Sequence, residues 1–203
     1  MKVVVIGATG TIGTAVADAL ATRHEVVRAS RKSQTRVDVD DPASIAALFD
    51  NVKNIDAVVS CATGTPERWQ SLFGSIEQLT DASLEIMFQA MRNQIALVRL
   101  CRAQLRDGGS ITLTTGALAK HPHLGTAAIT LMAAGLEGFV PAAALDMPRG
   151  TRINAVSPGW VKETMEQRGM DSSAGMPAAT LASYYVRAVE GAMTGIVIDP
   201  LAP

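Results

Sequence analysis

The chain of 203 residues is short of cysteine, histidine, aromatic side chains and net charge, with two Cys, three His, eight aromatics and a formal charge of −1. Cys61 and Cys101 stand alone, in a spacing that matches neither a metal motif nor a disulfide framework, so both read as small buried hydrophobes and no metal is expected. A near-zero charge without clustered Lys and Arg argues against nucleic-acid partners and against a polybasic membrane anchor. No apolar stretch reads as long enough to span a bilayer, and the N-terminus opens directly on a strand with no signal-peptide pattern. A cytoplasmic protein that makes no use of membranes is therefore expected. Repeats, linkers and low-complexity tracts are also missing. What remains is a chain 48% apolar, large enough for one buried core. One domain over residues 1–203 and small-molecule partners follow.

The most informative stretch is the first thirteen residues. Lys2-Val3-Val4-Val5-Ile6 is an uninterrupted β-branched run of the kind buried on both faces of a parallel sheet. It feeds Gly7-Ala8-Thr9-Gly10-Thr11-Ile12-Gly13, and an apolar helix follows at once. Glycines in this setting allow a tight turn, close approach of a pyrophosphate to the backbone and close packing of helix on strand. The helix start adds free N–H groups and the positive end of its dipole. Gly7, Thr9, Gly10, Thr11, Ile12 and Gly13 are accordingly assigned to a dinucleotide.

A second strand, Glu25 to Ala29, ends at Ser30-Arg31-Lys32-Ser33, beside the place where a dinucleotide fold holds the adenosine ribose. An acidic residue there would bind the 2′-hydroxyl of NAD. Instead there are two cations and two hydroxyls, which suit a 2′-phosphate through Arg31, Lys32 and Ser30, so NADP(H) is expected. The spacing next predicts a short strand over Thr35–Val39, a helix over Ala43–Asn51 and a strand over Asp56–Ser60. Ser60 to Gly64, including Cys61, Ala62 and Thr63, should then line the cofactor cleft beyond the strand ends.

The stretch Thr65 to Leu79 carries Trp69, Leu72 and Phe73, which read equally as core packing or as a cover over substrate. Thr80 caps a long helix expected to run to about Arg106, stopped by Gly108-Gly109, before a strand over Ser110–Thr114. From Thr126 to Met147 the only charges are Glu137 and Asp146, so that helix needs burial on more than one side. A sheet covers one side; a second subunit is expected on the other, giving a homodimer or homotetramer through the two long helices. Pro141 predicts a kink in it. A sixth strand, Arg152 to Val156, leads through Ser157-Pro158-Gly159-Trp160-Val161 into a Gly-, Ser- and Met-rich segment over Lys162–Pro177 that reads as a mobile lid. A helix over Ala178–Glu190 and a strand over Gly195–Ile198 close the pattern. The fold class is α/β: a doubly wound, parallel, seven-stranded, Rossmann-like sheet with helices on both faces.

Three blocks resemble the short-chain dehydrogenase/reductase family over essentially the whole chain. They are the glycine loop at Gly7, Gly10 and Gly13, the segment Asp38-Val39-Asp40-Asp41, and Gly150-Thr151-Arg152-Ile153-Asn154-Ala155-Val156-Ser157-Pro158-Gly159. The resemblance implies that Asp38 and Val39 sit at the adenine, and that Pro158, Gly159 and Val161 flank the nicotinamide. It is nearest to a compact subgroup of about two hundred residues with the signatures Leu113-Thr114-Thr115-Gly116, Met147-Pro148-Arg149-Gly150 and Asn154-x-Val156-Ser157-Pro158.

The departures concern the reaction itself. Where redox members have serine, tyrosine and lysine, this chain has Gly116, Ile129 and Ala133, and neither Ile129 nor Ala133 can move a proton. Thr115 is the remaining hydroxyl suited to orienting a substrate oxygen, Asn93 falls near the family's helix asparagine, and His121 or His123 could supply a general acid near neutral pH. Thr115, Asn93 and His121 are therefore the catalytic candidates. The expected activity is NADP(H)-dependent oxidoreduction of a small apolar carbonyl or enone. Two alternatives stand beside it: an inactive NADP(H)-binding sensor or assembly subunit, and a non-redox enzyme using the same cleft.

Overall fold

The computed structural model describes residues 1–62 and 70–202. Lys2–Ile6 forms β1, and its side chains alternate between two cores. Val4 and Ile6 join one, Val3 and Val5 the other, as the two-residue period of a strand requires. The elements that follow are α1 (Thr11–Ala21), β2 (Glu25–Ser30), β3 (Thr35–Arg36), α2 (Pro42–Asn51) and β4 (Ile55–Ser60). Then come α3 (Asp81–Cys101), β5 (Leu105–Thr114), α4 (Ala127–Leu145) and β6 (Arg152–Val156), and finally α5 (Lys162–Gln167), α6 (Ala178–Glu190) and β7 (Val197–Ile198).

Every strand pair is parallel, and the seven strands lie in the order β3-β2-β1-β4-β5-β6-β7. The order reverses direction between β1 and β4, which opens a crevice at their carboxyl ends. Helices α1 and α6 pack on one face around Val16, Leu20, Leu181 and Tyr185. On the other face Ile45, Leu48 and Phe49 of α2, Leu97 and Val98 of α3 and Val140 of α4 close the second core. The expected doubly wound α/β sheet is the observed one.

Four local expectations are corrected. The long helix stops at Cys101, not near Arg106, and β5 already begins at Leu105 with Gly108-Gly109 inside it. Its pairing with β4 is irregular there, because Ile55 faces Leu105 while Ala57 faces Ser110. Gly108 takes φ +73° and a Cβ on Gly109 would stand 2.8 Å from the carbonyl oxygen of Asp56, so these glycines permit a bulged strand rather than end a helix. Arg149 secures the bulge, its Nε donating to Asp107 at 2.7 Å and its Nη2 to the carbonyl of Leu105 at 2.9 Å. The third strand is only Thr35–Arg36, although Val37 and Val39 beyond it are buried.

The segment after β6 is pinned rather than a free loop. Lys162–Gln167 is helical, Val161 bridges Met176, and the Glu163 carboxylate accepts the first N–H of α6 from Ala178 at 2.9 Å. Lastly, α4 is by length and composition apolar enough to cross a membrane, with a mean hydropathy of 1.6, contrary to the expectation that no such stretch exists. The fold uses it as a sheet-covering helix that continues through Pro141, burying Ala128, Ile129, Met132, Ala133, Leu136 and Val140.

Candidate functional site

The crevice at the β1–β4 switch is a cleft of about 350 Å³ lined by Gly7, Thr9, Gly10, Ser30, Arg31, Lys32, Asp38, Val39, Cys61 and Ala62, among others. Its floor is the glycine turn. Gly7 adopts φ +81°, and a Cβ on it would stand 2.8 Å from the Ala62 nitrogen, so the turn needs glycine twice over. Gly10 differs: it lines the cleft, and a Cβ there meets nothing nearer than the Gly7 carbonyl oxygen at 3.5 Å. Gly10 is also the N-cap of α1 and supplies no side-chain cap, and no acidic residue occupies the first turn. The N–H groups of Thr11, Ile12 and Gly13 therefore have no acceptor in the helix, and this end attracts an anion. These features fit a dinucleotide pyrophosphate.

At the other end of the cleft Arg31 and Lys32 are exposed and Ser30 is buried. The Ser30 hydroxyl accepts the N–H groups of Lys32 at 3.1 Å and Ser33 at 3.0 Å and pairs with the Ser33 hydroxyl at 2.7 Å. Ser30 thus shapes the turn that presents the two cations, a role the sequence reading did not distinguish from direct binding. Asp38 is tied locally, its Oδ1 accepting the Asp40 N–H at 3.0 Å. Thr63 lies outside the described residues; Thr11 lines an adjoining groove that shares Thr9 and Gly10 with the cleft, and Ile12 packs against the core under α1 and α6. Pro158, Gly159 and Val161 follow β6 directly and do not line this cleft.

Next to the cleft, and sharing Val39 and Ala62 with it, is a cavity of about 30 Å³ between α3, α4 and the end of β5. Asn93, Gln94, Thr114, Thr115, Met132 and Ala133 line it. Asn93 is 2% exposed, and its Oδ1 has no hydrogen-bond partner among the described residues. Thr115 and Asn93 are thus brought to one cavity. His121 is not: it is exposed beyond the turn Ala117–Ala119, next to Lys120, whose Nζ pairs with Asp199 at 3.3 Å. His121 lines neither space.

The three positions that the resemblance aligned with the family's serine, tyrosine and lysine carry no polar side chain. Gly116 leaves open space where a Cβ would be, and Ala133 borders the cavity. Ile129 is buried in a cluster with Leu72, Met87, Ala128 and Met132. Leu72 is 2% exposed, so that residue is core, whereas Phe73 is exposed.

Several residues that hold the strand ends together escaped the sequence reading. Gln94 accepts from Ser60 Oγ at 3.0 Å and donates to the Ala62 carbonyl at 3.1 Å. Thr114 donates to the Ser60 carbonyl at 2.7 Å and takes a hydrogen bond from the buried Tyr185 hydroxyl at 2.8 Å. Burial drives the Tyr185 phenol well above its ordinary value and pushes the Cys61 thiol up to about 12, so neither ionises at neutral pH. Glu137 accepts from both Thr115 Oγ1 at 3.1 Å and Ser157 Oγ at 2.6 Å. Its signal was in the sequence, as the one charge within Ala127–Leu145.

A family model described as enoyl-(acyl carrier protein) reductase matches residues 4–192. The chain belongs to the short-chain dehydrogenase/reductase family. Among solved structures, protein lin1944 from Listeria innocua is 34% identical with a TM-score of 0.89, covering 98% of this chain and 99% of its own. A small-chain dehydrogenase in complex with NADPH is 25% identical with a TM-score of 0.83, over 98% of this chain and 95% of that one. A short chain dehydrogenase from Burkholderia cenocepacia J2315 in complex with NADP, 22% identical over 97% of this chain and 94% of its own at a TM-score of 0.80, shares the fold. No protein of curated function matches the chain by sequence.

Proposed function

We propose that this short-chain dehydrogenase/reductase is an NADP(H)-dependent oxidoreductase acting on a small apolar carbonyl or enone, through an active site of non-standard composition. The observation that carries the reading is the single cleft with an anion-attracting helix start at one end and Arg31 and Lys32 at the other. Gly7, Thr9, Gly10, Thr11, Ile12 and Gly13 would hold the pyrophosphate, and Arg31, Lys32 and the Ser30 turn a 2′-phosphate. Asp38, Val39, Cys61, Ala62 and Thr63 would border the adenosine, with Pro158, Gly159 and Val161 near the nicotinamide. When bound, the nicotinamide supplies or takes a hydride; the chain's task is to orient the partner and handle a proton.

Fluorescence titration with NADPH and NADH tests the cofactor. Tight NADPH binding, selectively weakened by Arg31→Glu, is expected; binding of neither nucleotide overturns the reading.

One observation favours a second reading, an NADP(H)-binding protein without turnover: Ile129 is packed against Leu72 and Met132, where the family's proton donor would stand. Assay against a panel of carbonyls and enones separates the two, because a binder oxidises no NADPH with any of them.

We further propose a second copy of the chain as partner. Ala127, Leu131, Ala134, Gly138, Ala142 and Leu145 of α4 are exposed along one side of the helix, with Phe88 of α3 also exposed. A helix with Gly138 and Ala134 at its surface admits close approach of its own two-fold mate, an isologous contact.

A further inference from the structure

A carboxylate in the middle of an apolar helix is costly unless it is paired. Glu137 is the one ionisable group within α4, is half-buried, and turns toward the ends of β5 and β6. Its Oε1 receives the hydroxyls of Thr115 and of Ser157, which is fully buried, at 3.1 and 2.6 Å. Those two residues follow adjacent strands directly, with Thr114 facing Val156 in the sheet and the Thr115 N–H donating to the Val156 carbonyl at 2.9 Å. The carboxylate thus spans the strand ends at the edge where the cofactor cleft opens.

The arrangement decides what Thr115 can do. A hydroxyl has one proton, and that of Thr115 is directed at Glu137, with the Val156 carbonyl at 3.3 Å as the only other acceptor in reach among the described residues. Toward the cavity it shares with Asn93, Thr115 therefore presents lone pairs. The other oxygen acceptor without a partner there, Asn93 Oδ1, is alike in polarity. While Glu137 accepts the Thr115 proton, a group entering this space is received as a hydrogen-bond donor, as an alcohol is; once Glu137 carries the proton, the Thr115 hydroxyl can donate to a carbonyl.

We propose that Thr115 and Glu137 form the proton path of the oxidoreductase, Thr115 touching the substrate oxygen and Glu137 acting through it as a positioning and relay residue. The inference rests on the NADP(H) reading above. In the oxidising direction the substrate O–H bond breaks and its proton passes to Thr115 Oγ1. The Thr115 proton passes to the Glu137 carboxylate; NADP⁺, when bound, would take the carbinol hydrogen as hydride, and the alcohol becomes a carbonyl. Carbonyl reduction with NADPH follows the same path backward, from protonated Glu137 through Thr115 to the forming alkoxide. Partial exposure lets Glu137 exchange its proton with solvent between turnovers.

The test uses the full chain, NADPH fluorescence, and NADPH-dependent reduction of 4-nitrobenzaldehyde. Glu137→Gln and the nearly isosteric Thr115→Val are each expected to lower kcat by about 100-fold while leaving NADPH affinity unchanged, and Glu137→Gln, which keeps the Thr115 hydroxyl, leaves the aldehyde KM unchanged as well. Thr115→Ser, which keeps the hydroxyl, is expected to retain most of kcat, a rescue that a purely structural role for the side chain would not produce. In cofactor-free protein labelled at Glu Cδ, the Glu137 carboxyl resonance, assigned by its loss in Glu137→Gln, is expected to move in Thr115→Val. Should Glu137→Gln fail to fold, Thr115→Val and Thr115→Ser carry the comparison. Unchanged kcat in the variants, or NADPH binding by a wild-type chain that reduces no aldehyde, overturns the relay and leaves the cofactor site standing. Absence of NADPH binding overturns the oxidoreductase reading and the relay with it.

Discussion

The backbone of Gly13 lies directly against the carbonyl group of Gly7, leaving no volume for a Cβ, whereas a Cβ on Gly10 between them would make only an ordinary contact with that carbonyl oxygen at 3.5 Å. Gly7 and Gly13 thus answer to close packing and Gly10, which lines the cleft, to ligand access. Gly13→Ala is expected to destabilise the fold by about 3 kcal/mol, because the obstruction is backbone and cannot rotate away. Gly10 has φ −84°, which alanine tolerates. Gly10→Ala should therefore preserve the urea midpoint while weakening NADPH at least tenfold, about 1.4 kcal/mol. A Gly10→Ala chain that binds NADPH like the wild type would remove the pyrophosphate from this turn.

Alkaline pH should destabilise the protein through groups that burial keeps protonated. The Cys61 thiol is raised from 9.0 to about 12, Cys101 is raised as well, and the Tyr185 phenol lies well above 10.0. The unfolded chain loses these protons first, so it binds fewer protons than the native state and stability falls as pH rises. The contribution is complete below pH 9 and declines between 9 and about 12 for Cys61. Urea melts at pH 8 and pH 10 are expected to show the loss, with a smaller slope in Cys61→Ala; a flat profile would contradict the burial of these groups.

Helix α2 depends on one carboxylate. Asp41 accepts the Ala43 N–H at 2.9 Å, with Pro42 at the first helical position. Asp41→Ala is expected to cost about 1 kcal/mol in chemical denaturation. NADPH binding should be unaffected, since Asp41 does not line the cleft.

If α4 meets its own copy, a charge at Leu131, which is 49% exposed, should prevent it. Leu131→Glu is expected to leave the circular dichroism spectrum intact and to convert a dimer to a monomer in sedimentation velocity. A wild-type chain already monomeric at micromolar concentration would refute the interface.

Much of this architecture could be read from the residues. The β-branched run ahead of Gly7, the alternation of buried strands with amphipathic helices, and the cap at Thr80 are local signals, and the elements they announce are the ones observed. The misread boundary at Arg106 has a specific cause. Gly108-Gly109 is a breaker in any helix, but its meaning as a strand bulge depends on Asp56 and Arg149, each some forty or more residues away. Likewise the segment after Val161 has a lid's composition, yet the pairing of Val161 with Met176 and the Glu163 cap turn it into a pinned helix.

By itself the sequence determined the parallel sheet and the glycine turn after its first strand, because each is carried by neighbouring residues. Only the tertiary structure decided which polar groups meet at the strand ends. Thr115 and Glu137 are 22 residues apart, Ser60 and Gln94 34, and Thr114 and Tyr185 71. No local period links such pairs. They come together because two helical layers close on one sheet, and a buried polar atom at that edge is stable only with a partner from whichever element packs over it.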